Sequence, residues 1–154
     1  MSVFVADEQT DNFDLADLHA LAEMVMAEEG YPPDAEVTLL FVDEKEIASY
    51  NQRFLDRDGA TDVLAFPVEE LLPGLVPDTD PHGPPLMLGD VVIAPGYVRR
   101  QAGQFGVTFE DEMALMVTHG ILHLLGYDHE ADEDAERMEE RERQLLAKIG
   151  RTRR

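Results

Sequence analysis

The stretch THGILHLLGYDH, Thr118 to His129, decides how the rest of the chain is read. His119 and His123 stand four residues apart, so on a helix their rings leave one face and can grip a single ion. Gly126 follows three residues later. Glycine tolerates a positive φ, which lets the helix stop there and the chain turn back. His129 then lies on the returning segment, placed as a third ligand. Three neutral imidazoles leave an ion its full charge and at least one open position, where a water can be acidified to a pKa of roughly 7. Zinc, one ion per chain, is the first expectation; nickel or another late divalent metal is the alternative. These residues are three of the chain's five histidines, set in an otherwise apolar run where unpaired imidazoles would be costly. His19, at the edge of an amphipathic segment, reads as structural, and His82, in a proline-rich stretch, as solvated.

Upstream of this stretch, compact apolar runs alternate with helical periodicities. Residues 2–6 suit a short strand. From Asp14 to Glu29 the residues Leu15, Leu18, Ala22 and Val25 recur at helical spacing, with an Asp before them and Gly30 after. VTLLFV at 37–42 is a buried strand, and 43–55 a helix leaving it. TDVLAFPV, 61–68, and MLGDVVIA, 87–94, are further strands. Between them, residues 73–85 hold five prolines and two glycines and read as a loop. From residue 95 onward the chain is helical: 96–104, 109–125 and 131–149. The last helix is densely charged, with Glu133 to Arg137 and Glu139 to Arg143 as i,i+4 pairs, and reads as a solvated face. The expected fold is α+β, a small mixed sheet of about four strands covered by about five helices.

The 154 residues suit one domain, 1–154, with residues 150–154 as a flexible tail. There are no cysteines, so disulfides, thiol nucleophiles and Cys-type zinc sites are excluded. The N-terminus lacks a basic flank followed by an apolar run, and no stretch approaches the roughly 18 apolar residues of a membrane span, so the expected location is the cytoplasm, with no membrane partner. Thirty-three acidic against 12 basic residues give a net charge of -21, which opposes non-specific binding to nucleic acid or anionic lipid, and no DNA partner is expected. Such a surplus fits either a salt-rich cytoplasm or solubility through self-repulsion.

The histidine spacing resembles the metzincin peptidase pattern H-E-x-x-H-x-x-G-x-x-H, but Gly120 stands where those enzymes carry the glutamate that activates water. A cradle without that base favours another substrate class. The chain resembles the YbeY family more extensively, through TDVLAFP (61–67), LGDVVIA (88–94), Glu112, HGILHLLGYDH and Met138 in the acidic helix. The resemblance implies a zincin-like fold with His119, His123 and His129 as the ligands. It also implies a single-strand-specific endoribonuclease acting on ribosomal RNA near the small-subunit 3′ end, with the ribosome or its proteins as partners. Two departures stand out: Leu55 occupies a position where many members carry arginine, and Ala65 one where many carry serine. The alternatives are a ribosome-assembly factor with a structural metal and a metallohydrolase of another substrate class.

Phosphodiester hydrolysis needs a nucleophile, stabilisation of charge on the phosphoryl oxygens and a protonated leaving group. Arg57 and Arg53 are candidate phosphate clamps, because a guanidinium matches phosphate oxygens bidentately. Asp128, beside His129, is a candidate for orienting a ligand or taking a proton. A wider basic patch would combine Arg53 and Arg57 with Arg99 and Arg100, and the tail residues Arg151, Arg153 and Arg154 could assist.

Overall fold

Apolar β-branched runs bounded by turn residues build a sheet whose buried residues lie mostly on its two central strands. The computed structural model describes residues 2–154, and its strands are β1 (Val3–Glu8), β2 (Glu36–Val42), β3 (Val63–Pro67) and β4 (Met87–Ile93). Their order is β1-β2-β4-β3. The first three in that order run parallel, and β3 pairs antiparallel with β4 at the edge, opposing Val63 to Ile93 and Ala65 to Val91. Pro67 is tolerated because an edge strand has a side that needs no donor. The sheet is therefore mixed and four-stranded, as expected.

Five helices complete the chain: α1 (Leu15–Glu28), α2 (Glu44–Leu55), α3 (Pro95–Phe105), α4 (Phe109–Leu124) and α5 (Asp132–Ala147). Side-chain oxygens of Asp14, Asp43 and Thr108 accept from amides of the first turns of α1, α2 and α4, satisfying donors that a helix start leaves orphaned. Alternation along the strands divides the core. Val37, Leu39, Phe41 and Val91 face α1, α4 and α5, while Leu40, Val42 and Val92 face Ile47 and Tyr50 of α2. No helix among the described residues is long and apolar enough to cross a membrane.

Helix α4 is buried around most of its circumference, which explains why its sequence is apolar with little amphipathic bias. It lies close against the sheet at Gly120, where an added Cβ would sit 2.4 Å from Cγ1 of Val91 and 3.3 Å from Cγ2 of Val63. The position next to His119 therefore faces the sheet and has no room for a side chain. The glutamate missing from the peptidase pattern is excluded by packing as well as by sequence.

Two expectations need correction. Arg137 does not serve Glu133; it donates to the carbonyl of Pro73 at 3.2 Å and lies over the Tyr127 ring, tying the proline-rich loop to the turn after α4. The tail is not loose. Arg151 pairs with Asp111 at 2.9 Å, Arg153 with Glu142 at 2.8 Å and Arg154 with Glu112 at 2.8 Å, all three carboxylates lying on α4 or α5. These carboxylates give the arginines fixed partners that composition alone does not show.

Candidate metal centre

His119 and His123 occupy successive turns near the end of α4, so their rings meet edge to face with centroids 4.6 Å apart. Gly126 adopts φ +100°, a conformation open to glycine, and turns the chain back toward the helix. The return is stabilised by Asp128, whose Oδ1 accepts from the amides of His129 at 2.7 Å and Glu130 at 3.3 Å. His129 arrives with its ring centroid 5.4 Å from that of His119 and 4.9 Å from that of His123. One nitrogen from each residue can be chosen so that all lie within 4.8 Å of one another, on the scale of one coordination sphere.

Hydrogen bonding fixes which nitrogen is free on His119 and on His123. Nδ1–H of His123 donates to the Tyr127 carbonyl at 3.0 Å, and a carbonyl can only accept, so the Nε2 lone pair is the free one. Nδ1 of His119 meets Oε2 of Glu142 at 2.8 Å, leaving its Nε2 free in the same way. A carboxylate or carbonyl behind each imidazole is the arrangement that orients metal-ligating histidines and raises their basicity. Burial, reinforced by the neighbouring His119 and His129, lowers the His123 pKa to about 4, so this ring is neutral at cell pH and ready to ligate. Burial acts to raise the Glu142 pKa, but the His119 ring and the Arg153 guanidinium outweigh it and hold the carboxylate below its usual range. The donor set fits a borderline-soft divalent ion with open positions.

The triad opens into a cleft of about 830 Å³. Its walls are the edge strand β3 with residues 61–62 before it, the Asp128–Glu130 turn, one side of α5 and the tail. Arg57 lines this cleft, as do Asp128, Leu55 and Ala65. The proposed basic patch does not assemble. Arg53 stacks over Tyr50 and Phe54, Arg99 pairs with Asp11 at 3.3 Å, and Arg100 pairs with Glu44; none of the three lines the cleft. Asp62 fixes the start of β3 through the Val63 amide and accepts from Gln101 at 3.0 Å. Glu112, 1% exposed, accepts from Gln101 at 2.7 Å and takes no part in holding the triad. His19 is structural, donating to the Val3 carbonyl at 2.9 Å, and His82 is exposed.

Sequence reading missed Glu142, treating its helix as a solvated face. The signal was present: Met138, Glu142, Leu145 and Leu146 are the buried residues of α5, spaced as one helical face with a carboxylate in its middle. A fully buried Glu needs its charge compensated, and here the Arg153 guanidinium supplies the opposite charge while Nδ1 of His119 supplies a hydrogen bond.

A mixed sheet packed against a helix that ends in an open three-histidine cradle defines the class: a zincin-like metal-dependent hydrolase. Comparison with known proteins supplies the family. The model of the family described as endoribonuclease YbeY matches residues 4–150, and the chain belongs to that family. It is 46% identical over 138 residues to the endoribonuclease YbeY of Acidothermus cellulolyticus, covering 89% of this chain and 84% of the relative. With that of Beutenbergia cavernae it shares 42% identity over 146 residues, 95% of each chain. Among solved structures, the solution structure of TM1509 from Thermotoga maritima superposes with a TM-score of 0.61 at 29% identity, covering 96% of this chain and 91% of that one.

Proposed function

We propose that this chain is a metal-dependent, single-strand-specific endoribonuclease of ribosomal RNA processing, acting near the small-subunit 3′ end, with zinc as its ion and the ribosome as the setting in the cytoplasm. The observation that carries the reading is the open three-nitrogen cradle on the floor of a cleft that also holds Arg57. His119, His123 and His129 would hold the ion, which would supply Lewis-acid chemistry at that point of the cleft. The chain's own residues do the rest. Glu142 and the Tyr127 carbonyl hold His119 and His123 in the ligating orientation. Asp128 holds the turn that carries His129, and Arg57 offers a planar fork to a phosphate. The peptide-hydrolase alternative loses its footing at Gly120, where packing forbids a general base.

The reading is tested with metal-loaded protein on matched single- and double-stranded RNA. Preferential cleavage of the single strand is expected, and wild-type protein that cleaves neither would sink the proposal. Arg57→Ala is expected to keep its metal and lose roughly tenfold to a hundredfold in kcat/KM, the worth of one charge-assisted bidentate contact. An Arg57→Ala variant as active as wild type would remove Arg57 from the substrate site.

A further inference from the structure

A protein of net charge -21 can receive a polyanion only where positive charge has been fixed in place. Carboxylates are abundant on the cleft walls, with Asp62, Asp128, Glu130 and Glu139 among its lining residues. Arg53, Arg99 and Arg100 are engaged elsewhere. Two arginines that do reach the cleft, besides Arg57, come from the tail: Arg153 and Arg154.

Their surroundings differ. Arg153 is committed. Its Nε donates to Glu142 at 2.8 Å, its Nη1 to the main-chain oxygen of Arg154 at 2.7 Å, and its Nη2 lies 3.6 Å from Glu139. Arg154 is held by one corner only. Its Nε donates to both oxygens of Glu112, at 2.8 and 3.0 Å, and its guanidinium lies 3.8 Å from the centroid of the Phe105 ring. Glu112 is itself buried and fixed by Gln101, so the anchor cannot swing. Among the described residues no group accepts from the two Nη nitrogens of Arg154, and the side chain keeps 27% of its surface exposed. The result is a guanidinium oriented in advance, with its outer donors unspent, on the wall of the cleft that contains the triad.

We propose that Arg154 is a phosphate-binding residue of this cleft, contacting the RNA backbone as a second cationic point beside Arg57. The assignment rests on the endoribonuclease reading. Preorganisation is what makes the position effective, because a planar fork already fixed by Glu112 and Phe105 loses little further freedom when a phosphate docks.

The test is steady-state cleavage of a short single-stranded RNA by metal-loaded protein across a salt series. Arg154→Gln is expected to lower kcat/KM about tenfold or more while metal content stays at about one ion per chain. The slope of log kcat/KM against log salt becomes shallower by about 0.7, the signature of one lost phosphate contact on a single strand. Arg154→Lys recovers part of both. A residue that merely neutralises Glu112 would lower thermal stability and leave the salt slope unchanged, which overturns the proposal. The double variant Glu112→Gln with Arg154→Gln removes the buried charge and its partner together, so it separates the roles even if the single variant folds poorly. Activity and slope that stay low support phosphate binding, and recovery of both overturns it. Wild-type protein that does not cleave RNA overturns the underlying reading and this assignment with it, whereas an active wild type with an indifferent variant overturns the assignment alone.

Discussion

His123→Ala yields folded protein that has lost its ion and on the order of a thousandfold of its RNA cleavage, about 4 kcal/mol of transition-state stabilisation. The ring sits at the end of α4, half-buried, against the His119 and His129 rings, and its hydrogen bond is to the Tyr127 carbonyl, so the apolar core does not depend on it. Two remaining imidazoles hold a divalent ion far more weakly than three, and no cysteine is present to substitute. Elemental analysis with circular dichroism and a cleavage assay reads all three quantities. Glu142→Gln sets the comparison, since it keeps the shape behind His119 and removes the charge. Its metal affinity is expected to fall tenfold to a hundredfold, the usual range for a supporting residue. A folded His123→Ala that still carries one ion per chain and cleaves normally would place the catalytic metal elsewhere.

Gly126→Ala is expected to cost about 3–5 kcal/mol of stability, which is exceptional for one methyl group. Two penalties coincide. The φ of +100° is strained for any residue with a side chain. The added Cβ would also lie 2.2 Å from the carbonyl oxygen of Leu71 and 2.6 Å from its carbon, and backbone cannot yield as a side-chain tip can. Gly59 provides the control. Its φ is +91°, yet a methyl added there would meet nothing within 4 Å, so Gly59→Ala carries the conformational penalty alone, about 1–2 kcal/mol. Denaturant unfolding of both variants gives the difference. Equal losses would show that the approach of residue 71 to the turn is not a structural constraint.

The elements were legible because each rests on a local signal. Valine-rich apolar runs gave β2 and β4, and the capping Asp14 gave the start of α1. The triad was legible for the same reason, since i,i+4 spacing on α4 and a glycine turn are local geometry. What could not be read was long-range. Arg99 and Arg100 lie in α3, the helix after β4, but their partners Asp11 and Glu44 are placed by tertiary packing, which draws them away from the cleft. The tail looked unconstrained because Glu112 and Glu142 are distant in sequence from the arginines that neutralise them. Gly120 was read as a missing base, whereas the approach of α4 to Val91 makes it a packing requirement.

Two of the three candidate ligands ride on a helix at the centre of the core, and the third on an exposed surface turn. Their mobilities therefore differ in kind. His129 can let go through motion of a few residues, whereas His119 and His123 move only with the body of the protein. Exchange of the ion becomes a one-armed event. A chelator is expected to strip the protein without denaturing it, and the emptied molecule to reload from the same side, unlike small domains whose fold exists only while the metal is bound.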